Sequence, residues 1–224
     1  MSFTLINARP SPFGRKVAIV LLEKGIAYDV QYDVPWGDQT CTPRYSPLEQ
    51  LPILITEQDE YVYDSAYILD WLEARHPEPT LMPTGVDERL AAARRRMLGE
   101  RLLEVAQSLI FELHRPEPSE PWVARQTRKV EGALAELERL YAERSPHMAA
   151  QPQPRPDLGD IAVATTLLGL EFAIASGLSP DVAALRWRDA FPALTALVAA
   201  LEKRPSFAAT APRMMDVNLK ATVA

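Results

Sequence analysis

The sequence predicts an α/β N-terminal half built on a four-stranded mixed sheet, followed by an all-α C-terminal half. Three observations predict it. Strand and helix signals over the first 76 residues run in the order βαβ, then ββα. A proline-rich stretch at 77–85 (PEPTLMPTG) cannot continue a helix. Beyond it strand signals vanish and helical periodicity takes over. With 224 residues, 47% of them apolar, the chain is long enough to bury a core in each half.

Each element has its own signal. Residues 4–7 (TLIN) form a short apolar run suited to a strand. Ser11-Pro12 reads as an N-cap followed by proline at the first helical position. That helix runs to Lys24, where Gly25 supplies the stop. Residues 28–33 alternate and are rich in β-formers, which makes a second strand. An irregular stretch follows, with prolines at 35, 43 and 47. Residues 52–56 (PILIT) and 60–63 read as the third and fourth strands, joined by a polar turn at Gln58-Asp59. A helix over 65–76 carries Ile68, Leu69 and Leu72 at helical spacing. The expected domains are therefore 1–76 and 87–224, linked by 77–86. Helices are expected near 87–114, 120–144, 157–176 and 189–203, with breaks at 116–121 and 152–156. Asp157 and Asp160 have the spacing of a capping box, a folding element rather than an acid–base pair. Loss of Asp160 on that reading costs about 0.5–2 kcal/mol, as cap losses do.

Composition narrows the function classes. A net charge of −6 gives no global pull toward nucleic acid. At about 100° per residue, Arg94, Arg95 and Arg96 fan around a helix, which reads as a solvated surface with mixed salt bridges. No unbroken apolar run approaches the roughly 18 residues that span a membrane; the longest, 17–22, is broken by Glu23 and Lys24. The N-terminal segment has none of the order of a signal peptide, so cytoplasm is the expected compartment. One cysteine, Cys41, permits no internal disulfide and no thiolate-built zinc site, and is expected to be inert. His76, His114 and His147 are scattered without metal-ligand spacing, so no metal is expected.

Three segments carry chemistry. Ser11 stands where a strand ends and a helix begins, an end whose unpaired amides attract anions. It either only caps the helix or also donates its hydroxyl hydrogen to a thiolate, lowering that thiol's pKa. Leu51-Pro52 opens a strand after an irregular loop, where the bond is either trans or cis. A cis bond would turn the Leu51 main chain outward, where an extended peptide could pair with it. Asp64-Ser65 opens a helix; Ser65 would be the cap, and Asp64 could meet an ammonium group. A plain capping role for the pair stands beside that reading.

The ordered set SPFGRKV, EKGIAYDV, SPLEQLPILI, YVYDSAYILDWLEARHP and LMP, then PDLGDIAVAT and FPALTALVAALEKRPSFAAT, resembles the glutathione transferase family over nearly the whole chain. Its start is similar to bacterial members that open serine-proline-phenylalanine. The resemblance implies a thioredoxin-like N-terminal domain and an all-helical C-terminal domain, and glutathione as cosubstrate without metal. It implies that Ser11 activates the thiol, that the Leu51–Pro52 bond is cis and the pair holds the cysteinyl part, and that Asp64 and Ser65 hold the γ-glutamyl group. Gln50 stands where many relatives have lysine near the glycyl carboxylate, so this chain brings no charge there. Phe13 would line the site or pack in the core. The acceptor would be an electrophilic small molecule, with Met97, Arg101, Phe111 and Met214-Met215 as candidates for its site. A homodimer is implied, with neither nucleic acid nor membrane as partner. Two other readings are a specialised glutathione-dependent isomerase, dehalogenase or etherase, and a non-catalytic binding or regulatory module on the same fold.

Overall fold

The structure, a computed structural model, describes residues 2–148 and 155–215, the side chains of 145–148 excepted. The described residues form two compact units, one from residues 2–82 and 205–215, the other from 83–148 and 155–204.

The first unit is built on a mixed sheet. Strand β1 (Phe3–Asn7) pairs in parallel with β2 (Tyr28–Tyr32) and antiparallel with β3 (Ile53–Ile55). β3 in turn pairs antiparallel with β4 (Tyr61–Tyr63), giving the order β2-β1-β3-β4. Helix α1 (Pro12–Glu23) is the crossover that a parallel β1–β2 pair requires. Helix α2 (Ser65–Arg75) packs beside α1. Leu5, Ile6, Val17, Ile19, Leu21, Ile53, Leu54, Ile68 and Leu72 are fully buried and make the core. Gly25, at φ +69, ends α1 in the left-handed turn that glycine adopts without strain.

A short helix that the sequence reading did not anticipate, Pro205–Ala209, completes this unit. Phe207 is 1% exposed, the Arg15 guanidinium donates to its carbonyl at 3.2 Å, and the Ser206 hydroxyl bonds the Glu23 carboxylate at 2.5 Å. The expected boundaries put these residues in the helical half; their packing on α1 groups them with the sheet instead.

The second unit contains α3 (Val86–Leu113), α4 (Glu120–Met148), α5 (Leu158–Ala175) and α6 (Pro192–Leu201), and no strand among its described residues. In chain order, the Pro205–Ala209 helix is α7. α6 begins at Pro192 rather than near 189 because the Ala190 and Phe191 amides turn back onto the Trp187 carbonyl, leaving proline at the first helical position. Of the expected break at 152–156, residues 152–154 lie outside the described residues. α5 is long and apolar enough by composition to cross a membrane, yet 67% of it is buried inside the protein, as befits a core helix. It lies close against α3: a Cβ on Gly99 would come within 3.0 Å of Val163, and the Thr166 hydroxyl bonds the Gly99 carbonyl at 3.0 Å.

The capping box at Asp157 and Asp160 is formed. Asp157 accepts the Asp160 amide at 2.9 Å, and Asp160 accepts the Asp157 amide at 3.2 Å. It is also the centre of a buried charge cluster. Arg95 pairs with Asp157 at 2.6 Å, Arg144 pairs with both carboxylates, and the Tyr141 hydroxyl donates to Asp160 at 2.9 Å. The fan of arginines therefore needs one correction. Arg94 makes an exposed pair with Glu136 of α4, but the Arg96 side chain, paired with Glu100, is only 12% exposed and Arg95 is 5% exposed. A cation at Arg95 persists because it faces two buried carboxylates.

Candidate functional site

Strand register decides which segments meet. Asn7 is paired with Tyr32, Ile6 with Ile53, and Ile53 with Tyr63. The ends of β1, β2 and β4 and the start of β3 therefore lie along one edge of the sheet. Just beyond that edge come Ser11 after β1, Asp33 after β2, Leu51-Pro52 before β3, and Asp64-Ser65 after β4. Segments up to 54 positions apart in sequence are gathered there by pairing alone.

Ser11 is the N-cap of α1. Its backbone amide donates to the Ala8 carbonyl at 3.0 Å, and its Oγ accepts the Gly14 amide at 3.3 Å. A hydroxyl that accepts in this way keeps its own hydrogen to donate, so capping and thiolate donation are compatible rather than rival. Gly14 is required in this turn: a Cβ there would stand 1.6 Å from Asn7 Oδ1. Asn7 is 8% exposed, and its Oδ1 has no hydrogen-bond partner among the described residues. Phe13, half-buried, has the Lys16 ammonium 5.9 Å from its ring centre.

The Leu51–Pro52 bond is cis. The β3 ladder begins at Ile53, so the main chain of Leu51 stands outside it. Gln50 is exposed and Pro52 buried. At the start of α2 the expected roles are exchanged. Asp64, not Ser65, is the N-cap: its Oδ1 accepts the Ala66 and Tyr67 amides at 2.7 and 3.4 Å. An ionised carboxylate accepts from orphan amides more strongly than a hydroxyl does. Ser65 occupies the first helical position and is 5% exposed. Asp64 takes φ 56°, a conformation that costs a non-glycine residue about 1–3 kcal/mol. Asp64 is exposed, and its second carboxylate oxygen accepts no hydrogen bond among the described residues.

A cleft of about 700 Å³ opens beside Arg9, Tyr32, Asp33, Thr40, Met214 and Met215. The Arg9 guanidinium lies 4.2 Å from the Tyr32 ring centre. Asp33 accepts from the Val34 and Cys41 amides at 2.7 and 2.8 Å, and from the Thr40 hydroxyl and the Cys41 thiol at 3.0 Å each. Burial opposes its ionisation, but these donors outweigh it and hold the carboxyl below the usual range. Burial, then the adjacent Asp33, pushes the Cys41 thiol up to about 11, consistent with an inert cysteine. The sequence reading missed Arg9 and Tyr32. Their signal was available: Tyr32 ends β2 and Arg9 lies in the turn just after β1, its parallel neighbour, and ligands are commonly held beyond the C-terminal ends of such strands.

Of the acceptor candidates, Met214 and Met215 line this cleft. Met97, Arg101 and Phe111 lie on α3 in the helical unit, where Arg101 pairs with Glu104 at 2.6 Å. No group of three His, Cys, Asp or Glu among the described residues could hold a metal. His76 packs against Phe3 and Trp71, and His114 Nδ1 lies 2.8 Å from the Ile110 carbonyl.

Comparison with known proteins extends this description. Residues 5–80 match the model of the glutathione S-transferase N-terminal domain, and residues 120–200 that of its C-terminal domain. A glutathione S-transferase from Methylobacterium radiotolerans, solved in complex with glutathione sulfonate, is 38% identical with a TM-score of 0.83, covering 97% of this chain and 98% of its own. One from Methylobacillus flagellatus, solved with glutathione bound, is 28% identical with a TM-score of 0.79, covering 95% and 100%. The uncharacterised GST-like protein YibF of Escherichia coli K12 is 29% identical over 93% of this chain and 98% of its own length.

Proposed function

Because this chain belongs to the glutathione S-transferase family, we propose that it binds glutathione along the sheet edge described above and ionises the bound thiol beside Ser11. The observation that carries this reading is the convergence of Ser11, Leu51-Pro52 and Asp64-Ser65 on one edge. The Leu51 main chain pairs with the cysteinyl part of the peptide. The second carboxylate oxygen of Asp64 meets the γ-glutamyl ammonium, and Ser65, at the first position of the helix, meets its carboxylate. Gln50 offers the glycyl end an uncharged donor, and Phe13 forms part of the wall. The relatives solved with glutathione or glutathione sulfonate support the choice of peptide.

The nucleophile belongs to the cosubstrate. The Ser11 hydroxyl donates to the sulfur, favours its ionised form, and so raises the fraction of thiolate at neutral pH. The thiolate attacks an electrophilic carbon; a carbon–sulfur bond forms and the leaving group departs with its electron pair. The protein supplies orientation and a fixed dipole rather than a covalent partner. Assembly as a homodimer, a cytoplasmic location and a detoxifying role belong to the same proposal, and sedimentation tests the dimer.

Ser11→Ala tests the central step. Glutathione affinity by calorimetry is expected to stay within a few-fold, because Leu51, Asp64 and Ser65 hold the peptide. The ultraviolet thiolate band of bound glutathione should titrate closer to the free-thiol pKa of about 8.5. Conjugation at pH 7 should fall roughly ten-fold or more, at about 1.4 kcal/mol per pKa unit. A melting curve separates loss of the cap from loss of the donor. An identical titration in wild type and variant would leave Ser11 as a cap alone.

A further inference from the structure

The strand order assigns different chemistry to the two sides of Ser11. Leu51-Pro52 and Asp64-Ser65 follow the β3 and β4 side of the sheet, whereas the cleft lies on the β2 side. β1, which leads into Ser11, stands between them. A sulfur held at Ser11 thus has peptide on one flank and the open cleft on the other. We propose that, for an acceptor meeting that sulfur from the cleft side, Arg9 selects an electrophile with a flat apolar body and a single negative charge. The inference rests on the glutathione reading above and names the substrate class of that same site.

Charge and surface of the cleft support the assignment. Asp33 is occupied by four donors and has little left to offer a ligand. Arg9 has no carboxylate partner among the described residues, and its guanidinium lies over the Tyr32 ring. The aromatic face limits the freedom of the cation without neutralising it, and a guanidinium so held presents paired N–H donors suited to a carboxylate or nitro group. Met214 and Met215 add soft, polarisable surface that accommodates an aromatic ring. The chain is tied in place here: the Arg213 amide donates to the Arg9 carbonyl at 3.3 Å, and the Asp33 amide to the Asn7 carbonyl at 3.0 Å. The exposed carboxylate of Asp38 also lines the cleft and disfavours a second negative charge on the acceptor.

The test uses the full-length protein and two electrophiles with one leaving group, a chloronitrobenzoate and its uncharged methyl ester. In both, the glutathione thiolate attacks the ring carbon bearing chlorine, a carbon–sulfur bond forms, and chloride leaves with the bonding pair. Each kcat/KM is divided by the rate of the uncatalysed reaction with glutathione, because the ester activates the ring more strongly than the carboxylate does, and on that scale wild type is expected to favour the carboxylate. Arg9→Gln should lower the carboxylate-to-ester ratio of kcat/KM about ten-fold or more, the scale of one lost charge-assisted hydrogen bond. Arg9→Lys, which keeps the charge but not the fork, should recover part of it. Calorimetric binding of the two glutathione conjugates reads the same contrast without turnover. Glutathione itself is titrated into wild type and Arg9→Gln in parallel. If wild type fails to bind glutathione, the functional reading falls and this inference with it. If both bind and the ratio is unmoved, or if wild type prefers the ester after division by the uncatalysed rates, Arg9 does not select the acceptor and this inference alone is overturned.

Discussion

At the scale of single residues, the site edge is shaped by what each side chain excludes as much as by what it bonds. Gly14 is the plainest case, because the first turn of α1 closes onto the side chain of Asn7 with no room for a methyl group. Gly14→Ala forces either the turn or Asn7 to move. It should cost about 1–3 kcal/mol, the usual range for overpacking, read as a shift in the denaturation midpoint. Helix propensity alone would predict the opposite sign, so a stabilised variant would refute the packing account. Cys41 is governed by its neighbour. With its thiol pushed up to about 11, only a small fraction is thiolate at pH 8. Iodoacetamide should therefore alkylate Cys41 about a hundred-fold or more slowly than a free thiol of pKa about 8.5, with the rate rising through pH 10 and beyond. Asp33→Asn removes the adjacent negative charge and should move that midpoint down. An ordinary alkylation rate in wild type would mean that the Asp33–Cys41 contact does not persist in solution.

At the scale of elements, the start of α5 is more than a cap. The sequence supports a cost of about 0.5–2 kcal/mol for losing Asp160, the value of a capping interaction. The structure adds the buried Arg95 and the partly buried Arg144, which would lose one of their two counter-charges. Removing one partner of a buried ion pair costs about 3–5 kcal/mol. Asp160→Ala should therefore destabilise by about that larger amount in urea. Asp160→Asn, which can still accept the Asp157 amide, should separate the charge contribution from the cap. Glutathione affinity of the folded fraction should be unchanged, since every element of the proposed peptide site belongs to the other unit. A loss of affinity without loss of stability would assign Asp160 to binding.

At the scale of the whole molecule, the chain leaves the sheet unit after residue 82, builds the helical unit, and returns at Pro205. The sheet unit is thus completed by residues more than a hundred positions from its own strands. Phe207→Ala should cost about 3–5 kcal/mol, the range for emptying a fully buried aromatic site. A denaturation midpoint within experimental error of wild type would show that α7 only rests on the unit.

What the sequence determined by itself is whatever rests on local rules. The strand and helix order, the caps at Ser11 and Asp157, and the stop at Gly25 all follow from short-range backbone chemistry that a few neighbours suffice to express. Recognition of the family added the expectation of a cis bond at Pro52. Tertiary structure alone decided whatever depends on partners distant in sequence. Asp64 displaced Ser65 as the cap because its carboxylate turns onto the free amides at φ 56°. Arg95 is buried because two carboxylates more than sixty residues later come to meet it. Residues 205–215 joined the sheet because Phe207 found its burial there. Arg9 and Tyr32 came together because Asn7 and Tyr32 end a parallel pair in register. Local propensity spans a few residues, whereas burial and charge pairing act between side chains that only the folded chain brings within reach.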